Sequence, residues 1–193
     1  MAPGPRRFEP VSFYTRRGDD GTTGLLFGGR VAKSAPAPSA VGTVDEAQAF
    51  LGLARAETER GSEADGLLLA VERDLYVLMA ELATAPENRH KLSPGASLVT
   101  AGMLAHLEAR TDDLCLRFQM PSEFVLPGQN RVSALLEVAR TVVRRAERSA
   151  LAVSVEGSYV VPYLNRLSSL LWAMARWQEG GAVPARRTDT ACP

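Results

Sequence analysis

The sequence predicts an all-α domain folded as an up-down bundle of five helices. From residue 43 onward, apolar side chains recur at three- and four-residue steps, which is the spacing of one face of an α-helix. Strand-like alternation is nearly absent, and segments with proline or glycine separate the helical stretches. The chain has 193 residues, 46% of them hydrophobic, so one domain can bury a core without disulfides or a structural metal.

Two helices are predicted in the first half of the chain. Thr43 and Glu46 form a capping-box pattern, which predicts a helix over residues 43–59. A second helix is predicted over residues 65–84, because leucines and valines follow one another there at helical spacing. Pro86 ends this second helix, since proline cannot donate the next backbone hydrogen bond.

Three further helices are predicted in the second half. The third spans residues 93–115, with Pro94 at the first helical position, where the missing N–H costs nothing. The fourth spans residues 131–152 and the fifth spans residues 162–178. Between the third and the fourth, residues 118–130 form a loop that contains prolines.

The composition also divides the chain into a domain and two tails. Residues 1–11 and 180–193 are loop-like, so they are predicted to be flexible tails, and residues 12–179 form the domain. Residues 12–42 show no helical period, and a loop of that length within a compact domain indicates a functional segment.

Charge and apolar patterning exclude several classes of protein. The 22 basic and 22 acidic residues balance, which argues against a nucleic-acid binder. No apolar stretch approaches the roughly 20 residues that span a bilayer, and the N-terminus lacks the apolar segment of a secretory signal. We therefore expect a cytoplasmic protein without a membrane partner.

Few residues are available for metal binding or nucleophilic catalysis. Cys115 and Cys192 lie far apart in sequence, which predicts no disulfide framework. With His90 and His106 as the two histidines, a structural zinc site is not expected. No Ser–His–Asp or Cys–His group can be assembled, so an enzyme of this sequence would act through binding and electrostatics.

The N-terminal loop combines glycines with hydroxyls and cations. These residues are Thr15, Arg16, Arg17, Gly18, Gly21, Thr22, Thr23, Gly24 and Lys33. Such a set suits a polyphosphate, because backbone N–H groups and cations both bind phosphate oxygens. It is not a Walker loop, since Arg30 and Val31 stand where Lys and Ser or Thr are required. A polar arm without a ligand is the alternative.

The fourth helix is predicted to have one apolar and one charged face. A helical wheel places Leu135, Val138, Ala139, Val142, Val143 and Ala146 on one side. The other side carries Glu137, Arg140, Arg144, Glu147 and Arg148. The three arginines follow one another at four-residue steps, which is unfavourable unless anions lie alongside. This face is either solvated or binds a triphosphate.

Two further segments carry unusual residues. Phe124, Val125 and Leu126 are consecutive apolar residues in a connection, so they either cap the core or line a pocket for a large apolar ligand. Asn165 and Arg166 form a polar pair at the start of the fifth helix, where an Asn commonly makes only local hydrogen bonds.

In this order and spacing, the four features resemble the PduO-type ATP:cob(I)alamin adenosyltransferases, also called corrinoid adenosyltransferases. The resemblance covers residues 14–177, including the sequence motifs at 14–25, 42–46, 124–128, 139–148 and 163–168. It implies a ferritin-like bundle of five helices that assembles into a homotrimer with active sites between subunits.

The resemblance also implies roles for individual residues. The positions that match the ATP site are Thr15, Arg16, Gly18, Asp19, Asp20, Gly21, Thr22, Thr23, Lys33, Arg144, Glu147, Arg148 and Asn165. Glu147 also matches the Mg²⁺ site, and Asp45 with Arg140 matches a salt bridge across the subunit boundary. Phe124 matches the residue that displaces the lower axial ligand of cobalamin, and Val125 lies beside it.

The implied reaction is attack by cob(I)alamin on C5′ of ATP, which gives adenosylcobalamin and triphosphate. The implied partners are a flavoprotein reductant and a cobalamin-dependent mutase. An alternative is a catalytically weak paralogue that binds adenosylcobalamin and delivers it to such a mutase or regulates it. Ala35 and Ala37 motivate this alternative, because relatives carry an acid and a base there.

Other positions also depart from the family pattern. They are Gln48, Gln129, Asn130 and Glu137, and the segment 25–29 is one residue longer than in some relatives. We expect these departures to act on substrate affinity and corrinoid selectivity.

Overall fold

The computed structural model describes residues 14–186, and five α-helices form most of this part of the chain. They are α1 (Pro36–Ala56), α2 (Glu63–Leu82), α3 (Ala101–Cys115), α4 (Arg131–Ala150) and α5 (Val160–Glu179). A short 3₁₀ helix, Pro86–Lys91, follows α2. The predicted helical bundle is confirmed, and α2, α4 and α5 begin and end close to the predicted residues.

The core lies between α4 and its two main neighbours, α1 and α5. In addition, α2 packs on α1 and α3 packs on α5. The largest fully buried side chains are Leu51, Leu68, Leu75, Leu78, Leu114, Leu136, Tyr163, Leu164, Leu167, Leu170, Leu171 and Met174. Truncation of one such leucine to alanine costs about 2–5 kcal/mol, so this apolar set fixes how the helices pack.

The start of α1 differs from the prediction. The helix begins at Pro36, after Ala35 in an extended conformation, so the predicted start at Thr43 and the predicted loop boundary at residue 42 are wrong. Thr43 lies inside the helix, where its hydroxyl donates to the Ser39 carbonyl at 2.8 Å instead of capping. Ala40 is buried there, because small side chains let this first part of α1 pack closely.

The predicted start of α3 is also wrong. Residues 93–98 form a turn, in which the backbone N–H of Ser93 donates to the Ser97 hydroxyl at 2.9 Å. The helix starts at Ala101, and its N-cap is Thr100, whose hydroxyl accepts from the backbone N–H of Met103 at 3.2 Å. Pro94 therefore does not mark the start of the helix, because the N-cap residue, Thr100, lies further along the chain.

Two small antiparallel β-structures complete the described chain. Strands β1 (Thr22–Gly24) and β2 (Arg30–Ala32) form a hairpin within the N-terminal loop. Strand β3 (Val125–Leu126) pairs with β4 (Val183–Pro184), which lies just after α5.

The pairing of β3 with β4 determines where the chain runs after α5. Gly180 turns the chain after α5 in the left-handed conformation with φ 66°, which glycine adopts without strain. Residues 180–186 therefore run back along the loop instead of forming a free tail. The predicted tail 1–11 and residues 187–193 lie outside the described residues.

We predict that Tyr163→Phe destabilises the bundle by about 1–3 kcal/mol, because a half-buried carboxylate loses its hydrogen bond. The Tyr163 hydroxyl is buried and donates to Asp74 Oδ2 at 2.7 Å. Burial raises the pKa of Asp74, and burial together with Asp74 raises the pKa of Tyr163. Urea unfolding at neutral pH measures the loss.

Unfolding measurements at alkaline pH distinguish the loss of this hydrogen bond from a loss of packing. An unfolded tyrosine ionises near pH 10, whereas Tyr163 keeps its proton in the folded state, so the stabilisation falls as pH rises above about 10. The difference between wild type and variant should shrink in that range. The exposed Tyr76→Phe serves as control, and an equal loss in both variants would contradict the assignment.

Candidate functional site

One face of α4 presents three arginines. Arg144 and Arg148 are exposed and Arg140 is partly exposed, while the opposite side of the helix packs on α1 and α5. Arg148 Nη1 donates to the Arg144 carbonyl at 3.0 Å, which directs its guanidinium along the helix. The predicted arginine face is therefore present, and anions can reach it from solvent.

The predicted wheel of α4 is wrong at its edge. Glu137 was placed on the charged face, but it is buried, and Val138 was placed on the apolar face, but it is 40% exposed. Glu137 accepts from Arg140 Nε at 2.6 Å and from Arg176 Nη2 at 3.1 Å. A buried charge requires such partners, so α4 carries an ion-pair network between its two faces.

A polar pair joins α4 to α5 beside the arginines. Asn165 Nδ2 donates to Glu147 Oε1 at 2.9 Å, so the structure brings together two residues that the sequence places far apart. Arg166 holds the other side of the amide, since its Nη1 donates to Asn165 Oδ1 at 2.6 Å. Asn165 thus makes more than local hydrogen bonds.

The N-terminal hairpin is organised around Asp20 and Thr22. Asp20 Oδ1 accepts from the backbone N–H and the hydroxyl of Thr22, at 2.9 and 2.7 Å. The hydroxyl bond to Thr22, with the backbone bond second, lowers the pKa of Asp20. Arg30 Nη2 donates to the Arg17 carbonyl at 2.7 Å and Arg30 Nε to the Thr22 hydroxyl at 3.0 Å. Sequence reasoning did not assign this role to Arg30.

Lys33 lies against the turn that precedes the hairpin. Its backbone N–H donates to the Gly21 carbonyl at 2.9 Å. A side chain at Gly18 would meet Lys33 Nζ at 3.1 Å, so glycine permits the ammonium group to lie there. The predicted phosphate-binding residues of the loop, Thr15 to Thr23, are therefore gathered with Lys33 on one short segment.

This hairpin is attached to the end of α2. The backbone N–H of Leu26 donates to the Ala83 carbonyl at 2.8 Å. No hydrogen bond or ion pair joins residues 15–33 to Arg140, Arg144 or Arg148. The two predicted parts of the ATP site are thus not bonded to each other within one chain.

Asp45 and Arg140 are not paired within the chain. Asp45 is exposed on α1, and Arg140 is held by Glu137. The neighbouring residues Glu46 and Arg145 do form an ion pair between α1 and α4. The predicted pair between Asp45 and Arg140 joins two subunits, so it stays a prediction.

The loop before α4 displays an aromatic side chain. Phe124 is 90% exposed, so for this residue the loop does not cap the core. Its carbonyl accepts from the backbone N–H of Ala185 at 2.7 Å, and Val125 belongs to β3. Behind the loop lies a cavity of about 330 Å³, lined by residues 118–123 and 180–182 together with Val125, Pro184 and Arg176.

Residues 14–186 contain neither a cluster of metal-binding side chains nor a membrane-spanning helix. In this part of the chain no three His, Cys, Asp or Glu side chains form a group that could hold a metal ion. None of the described helices is long and apolar enough to cross a membrane.

A model of the cobalamin adenosyltransferase family matches residues 13–178. The chain belongs to this family. The corrinoid adenosyltransferase of Mycobacterium tuberculosis (strain ATCC 25618 / H37Rv) is 40% identical over 182 residues, which cover 87% of this chain and 93% of the relative. The corrinoid adenosyltransferase PduO of Salmonella typhimurium is 35% identical over 178 residues, which cover 91% of this chain and 52% of the relative.

Solved structures of the family have the same fold. A variant of the PduO-type ATP:corrinoid adenosyltransferase from Lactobacillus reuteri, complexed with cobalamin and ATP, superposes with a TM-score of 0.78 at 26% identity, over 87% of this chain and 91% of that chain. A second such variant has a TM-score of 0.81 at 24% identity, over 91% and 100%, which is a likeness of fold. The predicted family and the predicted transferase enzyme are confirmed.

We predict that Thr22→Val loosens the hairpin, because the isosteric side chain cannot bond to Asp20 or Arg30. The pKa of Asp20 should rise towards its ordinary value, and the amide of Lys33 should exchange faster with solvent. Carboxyl titration and hydrogen exchange by NMR measure both effects. Thr23→Val is the matched control, and similar changes in the two variants would show that Thr22 has no special role.

Proposed function

We propose that the protein transfers the 5′-deoxyadenosyl group of ATP to cob(I)alamin, giving adenosylcobalamin and triphosphate. The exposed arginine face of α4, beside the Glu147–Asn165 pair, is the observation that carries this proposal. Guanidinium groups match phosphate oxygens in geometry and charge, so this face suits the triphosphate. Membership in the family, and relatives whose structures contain cobalamin and ATP, support it.

The reaction requires little covalent chemistry from the protein. The cobalt of cob(I)alamin donates its electron pair to C5′, a Co–C bond forms, and the C5′–O bond breaks with its electrons going to triphosphate. Arg144 and Arg148 would stabilise the charge that develops on the departing oxygens. The remaining task is to hold C5′ in line between cobalt and leaving group.

Glu147 fits a weakly held Mg²⁺, and Asn165 orients its carboxylate. Glu147 Oε1 accepts from Asn165, so Oε2 is the oxygen available to a cation. Mg²⁺ commonly binds through one or two carboxylates, substrate phosphates and water, and this donor set matches that pattern. When bound, the ion would neutralise charge on the triphosphate. We propose that ATP supplies most of its ligands.

We infer that the complete site forms between subunits of a homotrimer. Residues 15–33 form no hydrogen bond or ion pair with the arginine face of their own chain, whereas both parts match ATP positions of the family. An exposed Asp45 is then available to Arg140 of a neighbouring subunit, where it would shape the site.

We assign the corrinoid to the loop of Phe124. An exposed aromatic ring beside a cavity with both polar and apolar lining residues can contact a large planar ligand. Phe124, with Val125, would displace the lower axial ligand, leaving four-coordinate cob(II)alamin that is easier to reduce. A flavoprotein would supply the electron in the cytoplasm, and a cobalamin-dependent mutase would receive the product; both partners rest on the family resemblance.

The departures from the family pattern have identifiable structural places. Asn130 caps α4, accepting from the Ser133 backbone N–H at 2.8 Å, and Gln129 Nε2 donates to the Leu126 carbonyl at 3.4 Å. Ala35 and Ala37 line a cavity of about 580 Å³ beside the hairpin. The lack of an acid and a base at these two positions of the wall is the observation that favours the second candidate, a protein that binds and delivers adenosylcobalamin with little turnover.

Anaerobic mixing of the protein with ATP, Mg²⁺ and chemically reduced cobalamin tests the proposal. Formation of adenosylcobalamin, followed by its absorption spectrum, is expected. Tight product binding with negligible turnover would support delivery instead, and the absence of both binding and turnover would contradict both candidates.

We predict that Arg144→Ala lowers kcat by about 10²–10³-fold, because a donor to the leaving group is lost. Thermal unfolding should change little, since Arg144 is exposed. Arg110→Ala, an exposed arginine on α3, is the control and should keep full activity. Unfolding of the Arg144 variant, or unchanged turnover, would contradict the role.

Phe124→Ala should selectively impair the path that starts from cob(II)alamin, whereas transfer from preformed cob(I)alamin should be less affected. The reason is that axial displacement assists only the reduction. Both assays are run on the same preparation, with Leu116→Ala as an equally exposed apolar control. Equal losses in the two assays would exclude the displacement role.

A further inference from the structure

A largely buried network of four charged residues connects α4 to the last turn of α5. Arg176 Nη2 donates to Glu137 Oε1 at 3.1 Å and to Glu179 Oε1 at 3.0 Å. The other oxygen of Glu137 accepts from Arg140 Nε at 2.6 Å. Only 2% of the Arg176 side chain and 11% of that of Glu137 are exposed. Buried ion pairs stabilise a fold weakly, so their geometry points to a positional role.

Arg176 is held mainly through one nitrogen. Its Nε and Nη1 are buried and have no hydrogen-bond partner among the described residues. Its guanidinium lies over the Trp172 ring, 5.6 Å from the ring centre. Burial raises the pKa of Glu179, the other carboxylate that accepts from Arg176 Nη2.

The network ends where the loop of Phe124 is attached. Arg176 lines the cavity behind that loop, together with Val125 and Pro184. The last turn of α5 leads through Gly180 into β4, which pairs with β3. Asn130 Nδ2, at the other end of the loop, donates to the Gln178 carbonyl at 2.7 Å. A displacement of this last turn would therefore move both attachments of the loop.

We propose that Glu137 is a positioning residue for the corrinoid side of the site. It fixes Arg176, and through Arg176 the end of α5 that carries the loop of Phe124, while its second oxygen keeps Arg140 on the α4 surface. This inference rests on the proposed function, because it assigns the loop to the corrinoid. Arg144, Arg148 and Lys33 lie outside the network, so ATP binding depends on it much less.

Binding of each substrate to Glu137→Gln tests the proposal. The glutamine side chain has nearly the same volume as glutamate. It carries no charge and has only one acceptor oxygen, so it cannot pair with both guanidinium groups. Cob(II)alamin affinity should fall about tenfold or more, as expected when a buried charged pair is broken, and ATP affinity should stay within about threefold. Absorption and EPR spectra measure corrinoid binding, and calorimetry measures ATP binding.

Glu72→Gln is the matched control. Glu72 is 14% exposed and pairs with Arg55 between α1 and α2, far along the chain from the loop, so its loss lowers stability without moving α5. Both affinities should stay within about threefold in this variant, as for an independent site. Equal weakening of ATP and corrinoid in Glu137→Gln, or no weakening of either, would overturn the proposal.

A double variant checks the path through Arg176. If Glu137 acts through Arg176, the double variant Glu137→Gln/Arg176→Gln should bind corrinoid no more weakly than the weaker of the two single variants. A loss of affinity equal to the product of the two single losses would overturn the path. Circular dichroism verifies folding, and Glu137→Asp replaces the amide variant if it unfolds. If the wild-type protein binds both substrates but shows no turnover, the proposed function is refuted and this binding test remains valid. If the wild-type protein does not bind corrinoid, both the proposed function and this inference are refuted.

Discussion

The packing of α4 against α1 and α5 is the constraint on which the rest of the structure depends. Ala139, Val142, Val143 and Ala146 are buried on this side, and their small size lets the helix axes approach closely. Because a helix repeats every 3.6 residues, the same packing turns Arg144 and Arg148 outward. One helix therefore determines both the core and the charged face of the site.

The exposed arginine face lowers the stability of the fold only slightly, whereas the ion-pair network at its edge has a larger free-energy cost. Exposed arginines at four-residue steps repel each other by a few tenths of a kcal/mol per pair, and solvent screens this repulsion. Glu137, Arg176 and Glu179 are desolvated, and burial of each ion costs several kcal/mol before pairing offsets it. The bundle thus retains a costly arrangement at the end that carries the loop of Phe124.

The sequence allowed the helical periods and the arginine face to be predicted, because both follow from spacing alone. It did not allow the start of α1 to be predicted, since Pro36, Ser39 and Gly42 have the composition of a loop and remain exposed in the helix, so they add no apolar period to its first turns. A helical wheel gives the direction in which the Glu137 side chain leaves α4 but not the residues that pack over it. Arg176, which covers it, lies on α5 and is brought there only by the fold.

The hairpin is the part of the described chain that the bundle determines least. Arg16 and Phe27 are non-glycine residues with positive φ, 58° and 65°, and such conformations cost of order 1 kcal/mol each. Local bonds to Asp20 and Arg30 offset this strain, and Leu26 provides one backbone bond to the end of α2. Since Phe27 is also 42% exposed, additional contacts from outside the chain would stabilise the hairpin further. The proposed site between subunits would supply such contacts, which would make folding of the bundle and completion of the site separable steps.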